Sequence, residues 1–155
     1  MAAPLLRSVI GKTFAFEASH RLDGLPEGHQ CGRLHGHSYS FTVELAGQVD
    51  GVGFVVDYGQ LQPIKDLVDA ELDHRHLNHV LQGSPLILVE WGPLAANPTA
   101  ERLAWWLFQR IWPLMFALNV ELLAVRVSET AKTFAEYRPP PAPPRLTVLP
   151  LSQVA

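Results

Sequence analysis

The sequence predicts an α+β domain in the order ββααββ, built on an antiparallel sheet. Three observations point there. Alternating apolar and polar residues occupy both ends of the chain, helical spacing of apolar residues occupies the middle, and Gly- and Pro-rich segments separate them. At 155 residues, 48% apolar and 17% charged, the chain is sized for one packed core.

KTFAFEASH, from Lys12 to His20, alternates. Phe14, Phe16 and Ala18 point one way, and Thr13, Ala15 and Glu17 the other, which makes a strand. RLDGLPEGHQCG is a turn-rich loop. HSYSFTVELAGQV, from His37 to Val49, is rich in aromatic and β-branched residues and forms a second strand, antiparallel to the first. Asp57 offers an N-cap with Gln60 three residues on as its capping-box partner, and Leu61, Ile64, Val68 and Leu72 follow at helical spacing. This first helix runs to about Glu71, with an irregular first turn at Pro63. Residues 80–96 are apolar but broken by Gly and Pro, and carry no clear element. Asn97 and Pro98 start a second helix as cap and first residue, Leu103, Leu107 and Ile111 form its buried stripe, and Pro113 ends or kinks it. Val120 to Thr130 is the third strand and Phe134 to Arg138 a short fourth. After Arg138, PPPAPPRLTVLP reads as an extended tail. The domain therefore spans 1–138 and the tail 139–155.

Net charge is −3 without a Lys/Arg cluster, which argues against a nucleic-acid partner. No stretch is apolar enough for a membrane span, and the N-terminus lacks a secretory h-region, so no membrane partner and a cytoplasmic location are expected. One cysteine excludes an internal disulfide and leaves Cys31 a free thiol.

All seven histidines lie between residues 20 and 79. On a strand, i and i+2 share a face, so His35 and His37 aim at one point. His20 ends the preceding strand, and the hairpin brings it beside His35. Three imidazoles plus an open position is a catalytic zinc arrangement, although an HxH is also what a solvated turn contains. His29, His76 and His79 have no evident partner and read as surface residues. Cys31 has three readings: a fourth ligand that joins the three histidines and closes a structural site, a thiolate base beside the metal, or a small buried hydrophobe. Asp73 and His74 in LDHRHLN form a pair in which the carboxylate can set the ring's tautomer, or simply a polar helix end. Glu129, at the end of the third strand, is either solvated or able to grip a pair of N–H donors on a heterocycle.

Six motifs in order, ASH (Ala18–His20), CGRLHGH (Cys31–His37), VVDY (Val55–Tyr58), LDHRHLN (Leu72–Asn78), NPTAE (Asn97–Glu101) and SETAKTFAEYR (Ser128–Arg138), resemble the 6-pyruvoyltetrahydropterin synthase family. Within it they look most like the bacterial branch that makes 6-carboxy-5,6,7,8-tetrahydropterin for queuosine. The three residues between Cys31 and His35 match that branch; the pyruvoyl branch tends to a longer gap. The resemblance implies the tunnelling fold (T-fold), a four-stranded antiparallel sheet with two helices on one face, in homo-oligomers with active sites between subunits. It implies one Zn2+ per subunit on His20, His35 and His37, Cys31 as general base, and Asp73 with His74 as a proton relay. Glu129, helped by Thr130, would anchor the pterin, with Thr99 and Glu101 lining the same pocket. The implied substrate is 7,8-dihydroneopterin triphosphate. Arg33 and Lys132 are candidate phosphate contacts. Three features depart from the family: the 80–96 segment with Trp91, Phe134 close after Glu129, and the Pro-rich tail.

Overall fold

A computed structural model describes residues 6–86, 92 and 94–141. Trp91 and the tail from residue 142 lie outside them. The two long strands pair first. β1 (Arg7–His20) and β2 (His35–Gln48) run antiparallel from Arg7↔Gln48 to His20↔His35. β1 begins five residues before the predicted start and β2 two residues before. The alternation is as expected: Phe14, Phe16 and Ala18 are buried, and Thr13, Ala15 and Glu17 are exposed.

Asp57 and Gln60 do form a capping box, but around a 3-10 turn, Tyr58–Leu61. α1 (Gln62–Glu71) follows with Pro63 in its first turn, where a missing N–H is harmless. The chain then reverses through His74, whose φ of 56° is left-handed. Arg75–His76 form β3, parallel to Ala18–Ser19 of β1. Leu77–Gln82 form a short helix, α2. α3 (Ala100–Met115) buries Leu103, Leu107 and Ile111 as expected, and continues two residues beyond Pro113. β4 (Glu121–Thr130) and β5 (Thr133–Tyr137) complete the sheet.

Among the described residues the sheet thus has five strands, not four, in the order β3-β1-β2-β4-β5, and it is mixed rather than antiparallel throughout. Three α-helices stand there where two were expected. The missed pieces are two and six residues long, too short to show a period. The α+β class and the ββααββ backbone of the topology remain. One sheet face carries the core, where Phe14, Phe16, Tyr39, Phe41 and Val43 meet Ile64, Val68, Leu103, Leu107 and Ile111. The other face stays open and polar. Among the described residues no helix is long and apolar enough to cross a membrane.

The start of α3 also differs from expectation. Thr99, not Asn97, is the cap, accepting from the Arg102 N–H. The Asn97 amide is engaged elsewhere: its Oδ1 accepts from Asp23 N–H at 2.9 Å and its Nδ2 donates to Asp23 O at 3.0 Å. Asn78 makes the same two-way bond to Arg21, at 3.0 and 2.9 Å, from 4% exposure. Two asparagines therefore pin the chain just after His20. Asn78→Ala should lower stability by about 1–3 kcal/mol, because it leaves the Arg21 backbone groups unmet, and equilibrium denaturation will show it.

Candidate functional site

The hairpin puts His20 opposite His35 and Ala18 opposite His37, so the three rings share the core face at its open end. Their metal-ligating nitrogens all lie within 4.8 Å of one another. His20 is 1% exposed. Its Nδ1–H donates to Pro98 O at 2.9 Å, and His35 Nδ1–H donates to Arg33 O at 2.7 Å. Each carbonyl fixes a tautomer and leaves the Nε2 lone pair free. The two Nε2 atoms then face each other at 3.1 Å. Two lone pairs so placed repel each other and suit a shared metal ion. Burial pushes the His20 pKa below 6.5, reinforced by the neighbouring His35 and His37 and opposed by Pro98 O. The donor set fits a metal ion, and Cys31 Sγ lies outside the cluster.

Cys31 sits in a 3-10 turn, Gln30–Gly32. His29, read from sequence as a mere surface residue, caps it: His29 Nδ1 accepts from Cys31 N–H at 3.1 Å. Leu22 N–H to Cys31 O, 2.8 Å, ties this turn to the chain two residues after His20. His76 and His79 stay apart as an edge-to-face pair with centroids 4.4 Å apart.

Asp73 and His74 lie at the outer edge of β1, held by the Glu17 backbone. Glu17 N–H donates to Asp73 Oδ1 at 2.9 Å, and His74 N–H donates to Glu17 O at 2.6 Å. His74 Nδ1–H donates to Asp73 Oδ2 at 2.9 Å, leaving Nε2 free. The Glu17 N–H, then His74, hold the Asp73 carboxyl below its usual range, so it is ionised at neutral pH. His74 opens into a surface cavity of about 400 Å³ walled by Glu17, Ser19, His37 and Ser38.

Glu129 lies at a β-bulge. Val127 pairs with Ala135 and Thr130 with Thr133, so Ser128 and Glu129 together oppose Phe134. Burial raises the Glu129 carboxyl pKa, opposed by His37 and His35 and reinforced by Glu101. Its neighbours are thus the metal cluster and Glu101. Thr99 and Glu101 line a separate cavity of about 620 Å³ with Asn97, Arg102, Trp105 and Tyr137; Glu129 is not among its walls. Phe134 is 60% exposed on the open face, its ring centroid 4.1 Å from the Arg126 guanidinium carbon. Arg33 and Lys132 are exposed. Thr130 bonds within its own turn, to Thr133 and Lys132.

The model of one family, PTPS or 6-pyruvoyl tetrahydropterin synthase, matches residues 9–140. The chain belongs to the 6-pyruvoyl tetrahydropterin synthase family. Among family relatives, a 6-carboxy-5,6,7,8-tetrahydropterin synthase of Synechocystis sp. is 35% identical over 89% of this chain and 98% of its own. A dihydroneopterin monophosphate aldolase of Pyrococcus furiosus is 32% identical over 63% of this chain and 68% of its own. The solved 6-pyruvoyl tetrahydropterin synthase of Caenorhabditis elegans superposes with a TM-score of 0.70 at 26% identity, covering 88% of this chain and 98% of its own. Family membership makes this chain a lyase of pterin chemistry with a histidine triad able to hold a metal ion.

In metal-free protein, His20 is neutral when folded and takes its proton below 6.5, whereas the unfolded chain takes it near 6.5. Just below 6.5 the unfolded state therefore holds more protons, and stability falls as pH drops through that window. Thermal melts from about pH 7 to about pH 5.5 should show a steeper fall for metal-free wild type than for His20→Gln.

Proposed function

We propose that the protein is a zinc-dependent carbon–carbon lyase that converts 7,8-dihydroneopterin triphosphate to 6-carboxy-5,6,7,8-tetrahydropterin, acetaldehyde and triphosphate, a step of queuosine and 7-deazapurine synthesis. The inward-facing His20, His35 and His37, in a chain whose relatives are named for this reaction, carry the reading. The Cys31–His35 spacing supports the carboxy-forming branch.

Each chain residue has a task. Glu129 accepts the paired N–H donors of the pterin ring, with Thr130 beside it, Glu101 as a charged neighbour, and Thr99 in the adjoining cavity with Glu101. Zinc on the three imidazoles supplies Lewis acidity that makes the side-chain hydroxyls more acidic. Cys31, as thiolate, takes a proton from the substrate side chain. His74, its tautomer set by Asp73, offers Nε2 to a second proton. Triphosphate departs, water adds to the side-chain carbon attached to the ring, and the bond from that carbon to the next breaks. The two outer carbons take up a proton and leave as acetaldehyde, and the carboxylate, with its second oxygen from water, remains on the pterin.

The active unit in this reading is a homo-oligomer with sites between subunits. Two observations support it. Among the described residues, β3 covers β1 only at Ala18 and Ser19, so the strand edge back to Arg7 lacks a strand partner. Such an edge is a template for pairing with another chain. His74 also faces outward, with its side chain 78% exposed. A dissociated variant with its zinc ligands intact should be inactive, as sedimentation run beside an activity assay will show.

The alternative product, 6-pyruvoyltetrahydropterin, needs the same proton movements without carbon–carbon cleavage, and the C. elegans fold relative bears that name. Mass spectrometry of the reaction of zinc-loaded protein with 7,8-dihydroneopterin triphosphate, with an acetaldehyde assay in parallel, separates the two. Acetaldehyde with the 6-carboxy product is expected. The pyruvoyl product without acetaldehyde would move the chain to the other branch. Cys31→Ala should keep its zinc and lose about 10²- to 10⁴-fold in turnover. Loss of zinc in that variant would instead indicate a closed, non-catalytic zinc module held by the cysteine and the three histidines together.

A further inference from the structure

Tyr39 lies in β2 two residues past His37 and is 1% exposed. Its ring stacks on Phe16, centroids 5.0 Å apart and 5° between planes. It meets His37 edge-on at 5.4 Å and His20 at 5.9 Å. A buried phenol ordinarily sends its hydroxyl to an acceptor, because an unmet polar group costs stability. Among the described residues, Tyr39 Oη has no hydrogen-bond partner in the protein. Phenylalanine would fill the same space between Phe16 and the histidines without that cost. No described protein group therefore accounts for the hydroxyl.

Strand geometry supplies an acceptor. Ser40 pairs with Ser128 across the antiparallel β2–β4 ladder. One residue further along each strand, Tyr39 and Glu129 become neighbours on the core face, where opposed Cβ atoms stand about 5 Å apart. A phenol keeps its proton at neutral pH and can donate it in a hydrogen bond. Glu129 is itself half-buried, with His37, Glu101 and His35 as its charged or titratable neighbours.

We propose that Tyr39 is a positioning residue for Glu129: when a pterin occupies the site, Tyr39 Oη donates to the Glu129 carboxylate, directly or through one buried water, and aligns it with the paired N–H donors of the ring. The inference rests on the reading of Glu129 as the pterin anchor. Pterin binding aligns the carboxylate with the hydroxyl and completes the bond. Loss of the hydroxyl should then weaken binding without weakening the free protein.

The test is Tyr39→Phe in the zinc-loaded full chain. Zinc per subunit, the melting temperature without ligand, and the fluorescence-measured Kd of neopterin, a non-reacting pterin, are read beside wild type. Zinc content should be unchanged and the melting temperature no lower. The Kd should rise about tenfold, and KM for 7,8-dihydroneopterin triphosphate should rise more than kcat falls. An unchanged Kd overturns the proposal. So does a lower melting temperature, which would mean that the hydroxyl is bonded within the empty fold. Wild-type protein that fails to bind neopterin overturns the pterin reading and this inference together. That result is distinct from wild type and variant binding equally well.

Discussion

The register of β1 on β2 is the constraint on which the site depends. It sets His20 against His35 and Ala18 against His37. Because side chains alternate along a strand, a slip of one residue would send His20 to the open face and leave two histidines on the other. The same register stacks Phe14 on Phe41 and Phe16 on Tyr39, with centroids 5.2 and 5.0 Å apart. The aromatic pairs can be buried only in the register that gathers the histidines. Core packing therefore enforces metal-site geometry, and no separate device is needed to hold it.

Around that hairpin, backbone groups both local and distant finish the positioning. Pro98 O orients His20, and Arg33 O orients His35. The Glu17 backbone holds both members of the Asp73–His74 pair. Asn78 and Asn97 use their side-chain amides as surrogate peptide groups to fasten Arg21 and Asp23. All of these bonds except the local one from His35 to Arg33 join a segment beside the site to a different part of the fold. Small displacements of α2 or of the start of α3 would be felt at His20.

The parts readable in sequence were those with a period or a short-range pattern. Alternation from Lys12 to His20 exposes β1, helical spacing exposes α1 and α3, and HxH at the start of β2 exposes two ligands. The rest depends on long-range partners. Asn97 looks like a cap because nothing local reveals that its amide reaches Asp23, 74 positions away. β3 is two residues long, and a parallel strand of that length has no alternation to read. The cap that His29 makes on the Cys31 turn has no standard motif. The bulge at Glu129 follows from strand pairing rather than from residue type. The six motifs were found as strings, but several of their residues act by bonds that the strings do not show.

Three features that cost stability lie at the histidine end of the sheet. His20 is buried and neutral with its Nε2 facing another, Tyr39 carries an unmet hydroxyl, and His74 holds a left-handed backbone. Elsewhere the core is ordinary: Val43, Leu45, Leu61, Ile64, Val68, Leu103, Leu107 and Ile111 are fully buried. A folding argument alone would replace each costly group with an apolar or right-handed alternative. Their concentration around three converging imidazoles is what a binding site requires, because groups satisfied within the free protein would have nothing left to offer a ligand. The apolar length of the hairpin supplies the stability that lets its polar end stay incomplete.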